Sequence, residues 1–218
     1  MDTIFGSDVA WTWLVIRASG VIAWALLSAV VFWGLFLRTR IMGTKATPVS
    51  LLHMHRWLGA LALGALTIHL VALLIDPVVK FSLAQIFIPG IAPWQPLPVA
   101  LGTLALWFML PVSLIGRIRT KLGKKGNTLF KRSHVIAYFA WPLATAHYVL
   151  AGTDAMAEWS IALIISVATV LIFLLLARGF VGPAPRKARP AAPSVPAAGA
   201  ASEGPEAPVA PEKVLVTS

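Results

Sequence analysis

The chain has no cysteine and few acidic side chains. None of its 218 residues is Cys, 8 are Asp or Glu, and 18 are Lys or Arg. The absence of Cys excludes disulfides, thiolate-held metal ions and the usual ligands of iron–sulfur clusters. Charged residues make up only 12% of the chain, whereas hydrophobic residues make up 58%, above the apolar share of a typical soluble domain. The composition therefore indicates an integral membrane protein.

Five apolar segments are long enough to cross a bilayer. A transmembrane helix needs about 20 predominantly apolar residues, because each residue adds about 1.5 Å of rise. The sequence predicts spans at residues 11–37, 55–75, 97–115, 130–150 and 159–177. We therefore expect an all-α integral membrane bundle of about five transmembrane helices, formed by residues 1–181.

The basic residues orient this bundle. Lys and Arg gather between the first and second spans, between the third and fourth spans, and after the fifth. By the positive-inside rule we expect the N-terminus outside and the C-terminus in the cytoplasm, in a multi-pass protein of the plasma (inner) membrane. The net charge of +10 is then explained by the orientation of the protein among membrane lipids, and we expect no nucleic-acid partner. Residues 182–218 are rich in Pro and Ala, which predicts a disordered cytoplasmic tail.

Four of the five histidines form two evenly spaced pairs. His55 and His69 are 14 residues apart in the second span, and His134 and His147 are 13 apart in the fourth. At about 1.5 Å per residue, these separations are roughly 21 and 20 Å. Both spans are expected to run from inside to outside, so His55 meets His134 near the cytoplasmic face. His69 meets His147 near the outer face in the same way. This is the ligand set of two bis-histidine haems.

An interval of 13 residues does not place His134 and His147 on one face of a regular α-helix. At about 100° per residue, 14 steps return to within ~40° of the starting face, whereas 13 steps miss it by ~140°. Pro142 lies between His134 and His147 and removes a backbone hydrogen bond, so we expect a kink or local rewinding there. His53, the fifth histidine, is about 160° from the face of His69. It is interpreted as an interfacial residue or, alternatively, as a supporting or substitute ligand.

Several further residues lie where a porphyrin would need them. Arg17 is about two turns into the first span, where it either neutralises a propionate of the outer haem or snorkels to the outer headgroups. Gly20, Gly59 and Gly64 either admit a flat macrocycle or serve helix packing. Trp141 lies near mid-depth in the fourth span, where it either couples the two haems electronically or simply packs in the bundle.

These features resemble the ferric reductase-like transmembrane domain family, the membrane part of ferric-chelate reductases and NADPH oxidases. The likeness runs from RASGVIAW in the first span to HYVLAGTD after the fourth, with HRWLG and SHVIAYF opening the two histidine-bearing spans. The resemblance implies two haem b groups held by four histidines, namely His55, His69, His134 and His147. It also implies an arginine near the outer haem, which fits Arg17, and electron transfer from a cytoplasmic donor to an outer-face acceptor.

One departure from the family concerns the electron donor. Members that work alone carry a cytoplasmic flavin- and nicotinamide-binding domain, whereas no G-x-G-x-x-G fingerprint follows a strand in this sequence. We therefore expect flavin only through a partner protein, with a separate cytoplasmic flavoprotein or membrane quinol as the electron donor. The basic loop 117–132 would receive an acidic donor. The acceptor, a ferric chelate, dioxygen or a partner protein, would be met at the outer loop 76–96.

Three alternatives remain open. The closest is a haem-binding membrane subunit of a two-component system, such as the periplasmic methionine sulfoxide reductase, which shares the fold but differs in donor and acceptor. A His-based metal transporter or metal-binding bundle would need polar or acidic co-ligands, and Asp and Glu are absent from the middle of every predicted span. A cofactor-free structural protein would have to satisfy four intramembrane histidines by hydrogen bonds alone. The leading expectation is an oxidoreductase component that needs a separate electron donor.

Overall fold

The computed structural model of the chain describes residues 11–39 and 48–180. Within these residues every regular element is helical and no strand occurs, so the predicted all-α class is confirmed. Seven α-helices follow one another, with one 3₁₀ turn between the fifth and the sixth. They are α1 (Trp11–Thr39), α2 (Pro48–Ile75), α3 (Leu83–Phe87), α4 (Pro96–Ile118), α5 (Gly123–Ile136), the 3₁₀ turn Ala137–Phe139, α6 (Ala140–Ala151) and α7 (Glu158–Phe180). The tail predicted at 182–218 lies outside the described residues.

Four of these helices are long and apolar enough to cross a membrane. The apolar windows are Trp11–Leu37 in α1, Val49–Ile75 in α2, Pro96–Ile118 in α4 and Glu158–Ala177 in α7. Each has at least 20 residues, which at about 1.5 Å per residue matches a hydrocarbon core of about 30 Å. The chain is therefore a multi-pass membrane protein.

The predicted fourth span, 130–150, is not one continuous helix. It consists of the end of α5, the 3₁₀ turn Ala137–Phe139 and α6. Pro142 has no N–H to donate to Tyr138 within that turn, and this loss favours the interruption. This segment is not among the four helices long enough to span, although its pieces laid end to end would rise about 34 Å, so a crossing here stays a prediction. The expected local rewinding therefore takes the form of a 3₁₀ turn.

The rewinding also changes which way the two histidines of this span face. A 3₁₀ segment turns by about 120° per residue rather than 100°, so three such residues add about 60° of rotation. The mismatch between His134 and His147 falls from about 140° to about 80°. The turn thus brings the 13-residue interval closer to the single face that the 14-residue interval of α2 achieves.

α1 lies at the centre of the packing. It contacts α2, α6 and α7, while α4 contacts α5 and α6. Three buried leucines, Leu35, Leu171 and Leu174, form an apolar core between α1 and α7. Many other large apolar side chains of the spans are exposed in the chain alone, as expected for helices that contact lipid.

Two tryptophans join α1 to α6 through a reciprocal set of hydrogen bonds. Trp24 Nε1 donates to Thr145 Oγ1 at 3.0 Å, and Trp141 Nε1 donates to Ser28 Oγ at 2.9 Å. Each hydroxyl in turn donates to the carbonyl of the tryptophan four residues earlier in its own helix, at 2.9 Å for Ser28 and 2.8 Å for Thr145. All four polar groups are thereby satisfied where water is scarce, which fixes α1 against α6.

The segment between α2 and α4 lies across one end of the bundle. Its short helix α3 begins with a capping box at Ser82. Two side chains of α4 hold this segment, because Thr103 Oγ1 donates to the carbonyl of Ile86 at 3.1 Å and Trp107 Nε1 to that of Phe87 at 2.9 Å. The segment is therefore an ordered cover over that end of the helices.

Candidate cofactor site between paired histidines

His69 on α2 and His147 on α6 line one cavity at the covered end of the bundle. His69 Nδ1 lies 2.9 Å from the carbonyl oxygen of Ile16, and His147 Nδ1 lies 2.8 Å from that of Pro98. A carbonyl oxygen only accepts, so Nδ1 carries the proton in both rings. Each Nε2 is left with its lone pair, which is the state that an imidazole needs to bind a metal.

Two glycines let neighbouring helices approach these rings. A Cβ at Gly20 of α1 would lie 3.1 Å from the ring of His69, and one at Gly102 of α4 would lie 2.9 Å from the ring of His147. Any larger residue would push against the imidazole. α1 and α4 therefore each contribute a backbone carbonyl and a glycine that hold one histidine of the pair.

The second pair lies nearer the other end of the bundle, with His55 on α2 and His134 on α5. The ring centroids of His55 and His134 are 6.0 Å apart, with 66° between their planes. Both Nδ1 atoms are buried without a well-formed hydrogen bond, although the carbonyl of Val30 is close to His55. The structure therefore places His55 beside His134 and places His69 and His147 on the wall of one cavity, while their role as haem ligands stays a prediction.

The glycines on α1 and α4 repeat at the interval of the histidines on α2. Gly20 and Gly34 are 14 residues apart, as are Gly102 and Gly116. A Cβ at Gly34 would touch the ring of His55 at 3.4 Å. A Cβ at Gly116 would lie 3.2 Å from the ring of Phe130, which stacks on His134. Gly34, Gly102 and Gly116 were not predicted from the sequence, although the shared 14-residue interval distinguishes them.

A stack of rings extends from the inner pair toward the basic segment 117–132. The rings of Phe130 and His134 lie 5.2 Å apart at 31°, and the guanidinium carbon of Arg119 lies 4.7 Å from the Phe130 centroid. The cation faces the ring electrons of Phe130, an attractive arrangement. This arrangement brings the positive charge of Arg119 near the inner pair.

Arg17 has a partner within the protein. Its Nε donates to Asp154 Oδ2 at 2.9 Å, and its Nη2 forms an ion pair with Asp154 Oδ1. Both side chains line the cavity that holds His69 and His147, and they are 36% and 22% exposed. Asp154, which our sequence analysis did not single out, thus neutralises much of the charge that a propionate was expected to balance. Arg17 nonetheless lies on the cavity wall, so its expected contact with an outer haem stays a prediction.

The other residues named from the sequence lie elsewhere. His53 is exposed on α2, in keeping with an interfacial position. A Cβ at Gly59 or at Gly64 would meet nothing within 4 Å, so neither glycine supports a close approach of protein atoms. Trp141 packs against the leucine core and takes part in the hydrogen bonds that join α1 to α6.

The two pairs suit a planar metal chelate better than a bare metal ion. Among the described residues no group of three or more His, Cys, Asp or Glu could hold a metal ion, so each pair offers two protein ligands only. A porphyrin supplies the four remaining nitrogens. The imidazoles of each pair would hold the iron of such a group. The inner rings lie 6.0 Å apart, and the outer rings carry their protons on Nδ1, so the residues present are of the kind that a bis-histidine haem site needs.

The walls around the outer pair are mainly apolar. Side chains from α1, α2, α4 and α6 and from the covering segment enclose the two imidazoles, among them Trp13, Trp24, Leu66, Leu70, Phe81, Ile86, Trp94 and Leu106. An apolar surround excludes water and favours a low-dielectric cofactor environment.

No family model, no curated protein and no solved structure matches this chain. The resemblance to the ferric reductase-like family therefore stays a prediction from the sequence.

Proposed function

We propose that this chain is a di-haem b-type membrane cytochrome that carries electrons from a cytoplasmic-side donor to an acceptor on the outer face. The observation that carries the proposal is the placement of two histidine pairs at two levels of one bundle. The levels are about 21 Å apart along α2, and the outer pair has both Nδ1 atoms bound to backbone carbonyls. A direct metal transporter is less well supported because neither pair has a third ligand among the described residues.

Each histidine pair would hold one haem. His55 and His134 would bind the inner haem iron, and His69 and His147 would bind the outer one. Bound haem iron supplies reversible one-electron reduction. The carbonyls of Ile16 and Pro98 hold their histidines in one tautomer and orientation, which raises the basicity of each Nε2.

The direction of transfer follows from the charge of the two ends. The basic segment 117–132 lies at the end of the inner pair, and by the positive-inside rule this end faces the cytoplasm. A separate flavoprotein or membrane quinol would reduce the inner haem there. The covering segment 76–96 lies at the other end, where a ferric chelate, dioxygen or a partner protein would accept electrons. The fold class is equally that of a membrane subunit feeding a separate outer reductase.

Proteoliposomes test transmembrane electron transfer directly. Ferricyanide is trapped in the lumen, an impermeant reductant is added outside, and loss of ferricyanide absorbance is followed against protein-free vesicles. We expect reduction with the native chain and with His53→Ala, a control on α2 outside both pairs. We expect His55→Ala and His69→Ala to reduce the rate to that of empty vesicles. A native rate equal to that of empty vesicles, or full activity of His69→Ala, would contradict the proposal.

A further inference from the structure

The outward face of α5 carries a recess lined by cations. Its walls are formed by Lys124, Lys125, Thr128, Leu129 and Arg132. Every one of these side chains is exposed. The opposite face of α5 carries Gly126, which is buried against Leu122 and Arg119, and Phe130, which packs against Gly116 of α4. The recess is therefore turned away from the bundle, and it lies outside both histidine pairs.

The cations of this region have no acidic partner within the described chain. Seven Lys and Arg residues lie between 117 and 132, and this segment contains no Asp or Glu. No salt bridge among the described residues engages any of the seven, since the acids of the described loops lie at the other end of the bundle. A cluster of like charges is unfavourable unless anions from outside neutralise it. The recess thus needs an external anion.

The same outward face becomes apolar within one turn of the recess. Val135 and Phe139 are each 62% exposed, and Ile136 between them is 47% exposed. At about 100° per residue, Val135 and Ile136 lie on the same side of α5 as Lys124 and Lys125. A basic hydrogen-bonding zone followed by an exposed apolar zone is the order of a phospholipid, with its phosphate above its acyl chains.

Because a basic zone is followed by an exposed apolar zone along α5, we infer that the recess on α5 is a binding site for the headgroup of an anionic phospholipid. Lys124, Lys125 and Arg132 bind the phosphate, while the Thr128 hydroxyl lies in the wall between them and donates to the carbonyl of Lys124 at 3.2 Å. The acyl chains lie along Leu129, Val135, Ile136 and Phe139. A soluble acidic protein would find the basic groups but would leave the apolar side chains below them uncovered, so the observations favour a lipid.

The site has a consequence for the inner histidine pair. Arg132 is two residues before His134, and Lys131 and Arg132 are the nearest cations of α5 to that ring along the chain. A lipid phosphate neutralises part of this positive charge, and its hydrophobic anchor holds α5 against the membrane interface. Lipid binding itself requires no haem, so this inference goes beyond the proposed function and stands or falls separately from it.

Native mass spectrometry of the full chain in detergent tests the site. Phosphatidylglycerol and phosphatidylcholine with identical acyl chains are added at equal concentrations to the native protein and to two double variants. Lys125→Gln/Arg132→Gln removes two recess cations, and Arg117→Gln/Lys121→Gln removes two exposed cations of the same segment outside the recess. We expect the native protein and the control to prefer phosphatidylglycerol. We expect the recess variant to bind it about 30-fold more weakly at low ionic strength.

Four outcomes would overturn the inference. Equal binding of the two lipids would exclude recognition of an anionic headgroup. Equal losses in the two double variants would mean diffuse attraction by the whole basic segment. Displacement of phosphatidylglycerol by millimolar inorganic phosphate would assign the recess to a free anion. Unchanged lipid binding in the recess variant, together with loss of binding to an acidic flavoprotein, would assign it to a protein partner.

Discussion

At the scale of single residues, the paired histidines stand out in the sequence because they are scarce and regularly spaced in apolar segments. The supporting groups are harder to find. The carbonyls of Ile16 and Pro98 belong to residues whose side chains reveal nothing about that role. Glycines are common in membrane helices, and only the 14-residue interval distinguishes Gly20, Gly34 and their counterparts on α4. The sequence therefore points to the histidine pairs more readily than to the groups that orient them.

Gly102 provides a test of the close approach to His147. A methyl group there would lie 2.9 Å from the imidazole, so the ring or α4 must shift, at a cost of about 1–3 kcal/mol. We expect Gly102→Ala to lower the occupancy of the outer haem by half or more, measured as haem per chain. Gly59→Ala is the matched control, because its methyl group would meet nothing within 4 Å and both changes favour the helix alike. Equal haem content in the two variants would refute this role of Gly102.

Substitutions of Arg17 and of Asp154 are expected to shift the reduction potential of one haem in opposite directions. If an outer haem occupies the cavity, Arg17→Gln removes a nearby cation and lowers the reduction potential of one haem. Asp154→Asn removes the carboxylate that neutralises Arg17 and raises that potential. Shifts on the order of tens of millivolts are expected in a redox titration followed by absorbance. Shifts of the same sign in both variants, or none in either, would mean that the pair serves only to join α1 to the loop before α7.

At the scale of elements, helix identity and span position follow from the sequence, but the interior of the predicted fourth span does not. Apolar composition over 130–150 predicts one span, because mean hydropathy does not depend on whether the residues form an α-helix or a 3₁₀ turn. Pro142 and the 13-residue interval indicate that the helix cannot be regular, yet neither specifies a 3₁₀ turn at Ala137–Phe139. α5 and α6 both pack against α4, and such tertiary contacts are not encoded in the hydropathy pattern.

Pro142→Ala tests whether this turn sets the direction of the inner histidine. Restoring the N–H permits a continuous α-helix, in which His134 and His147 would again be about 140° apart in phase. We expect the outer haem to remain and the inner haem to be lost or weakened, so that haem content falls from about two to about one per chain. Native haem content in a variant with higher helicity by circular dichroism would contradict this explanation.

At the scale of the whole molecule, the described charges separate toward the two ends of the bundle. Asp76, Asp154 and Glu158 lie at the end that holds His69 and His147, while the cations of segment 117–132 lie at the other. The positive-inside rule reads this asymmetry from the sequence alone. The pairing of α2 with α6 across the bundle is also expected from depth. The central position of α1, which contacts three helices, depends on side-chain packing that hydropathy does not encode.

The central claim is that one folded chain holds two haems between its histidine pairs. The most direct test is a dithionite-reduced minus oxidised absorbance spectrum of the purified protein, expressed with ample haem and combined with pyridine haemochrome quantification. The account predicts a low-spin b-type spectrum and about two haems per chain. A fully folded protein that stays free of haem under these conditions would contradict it.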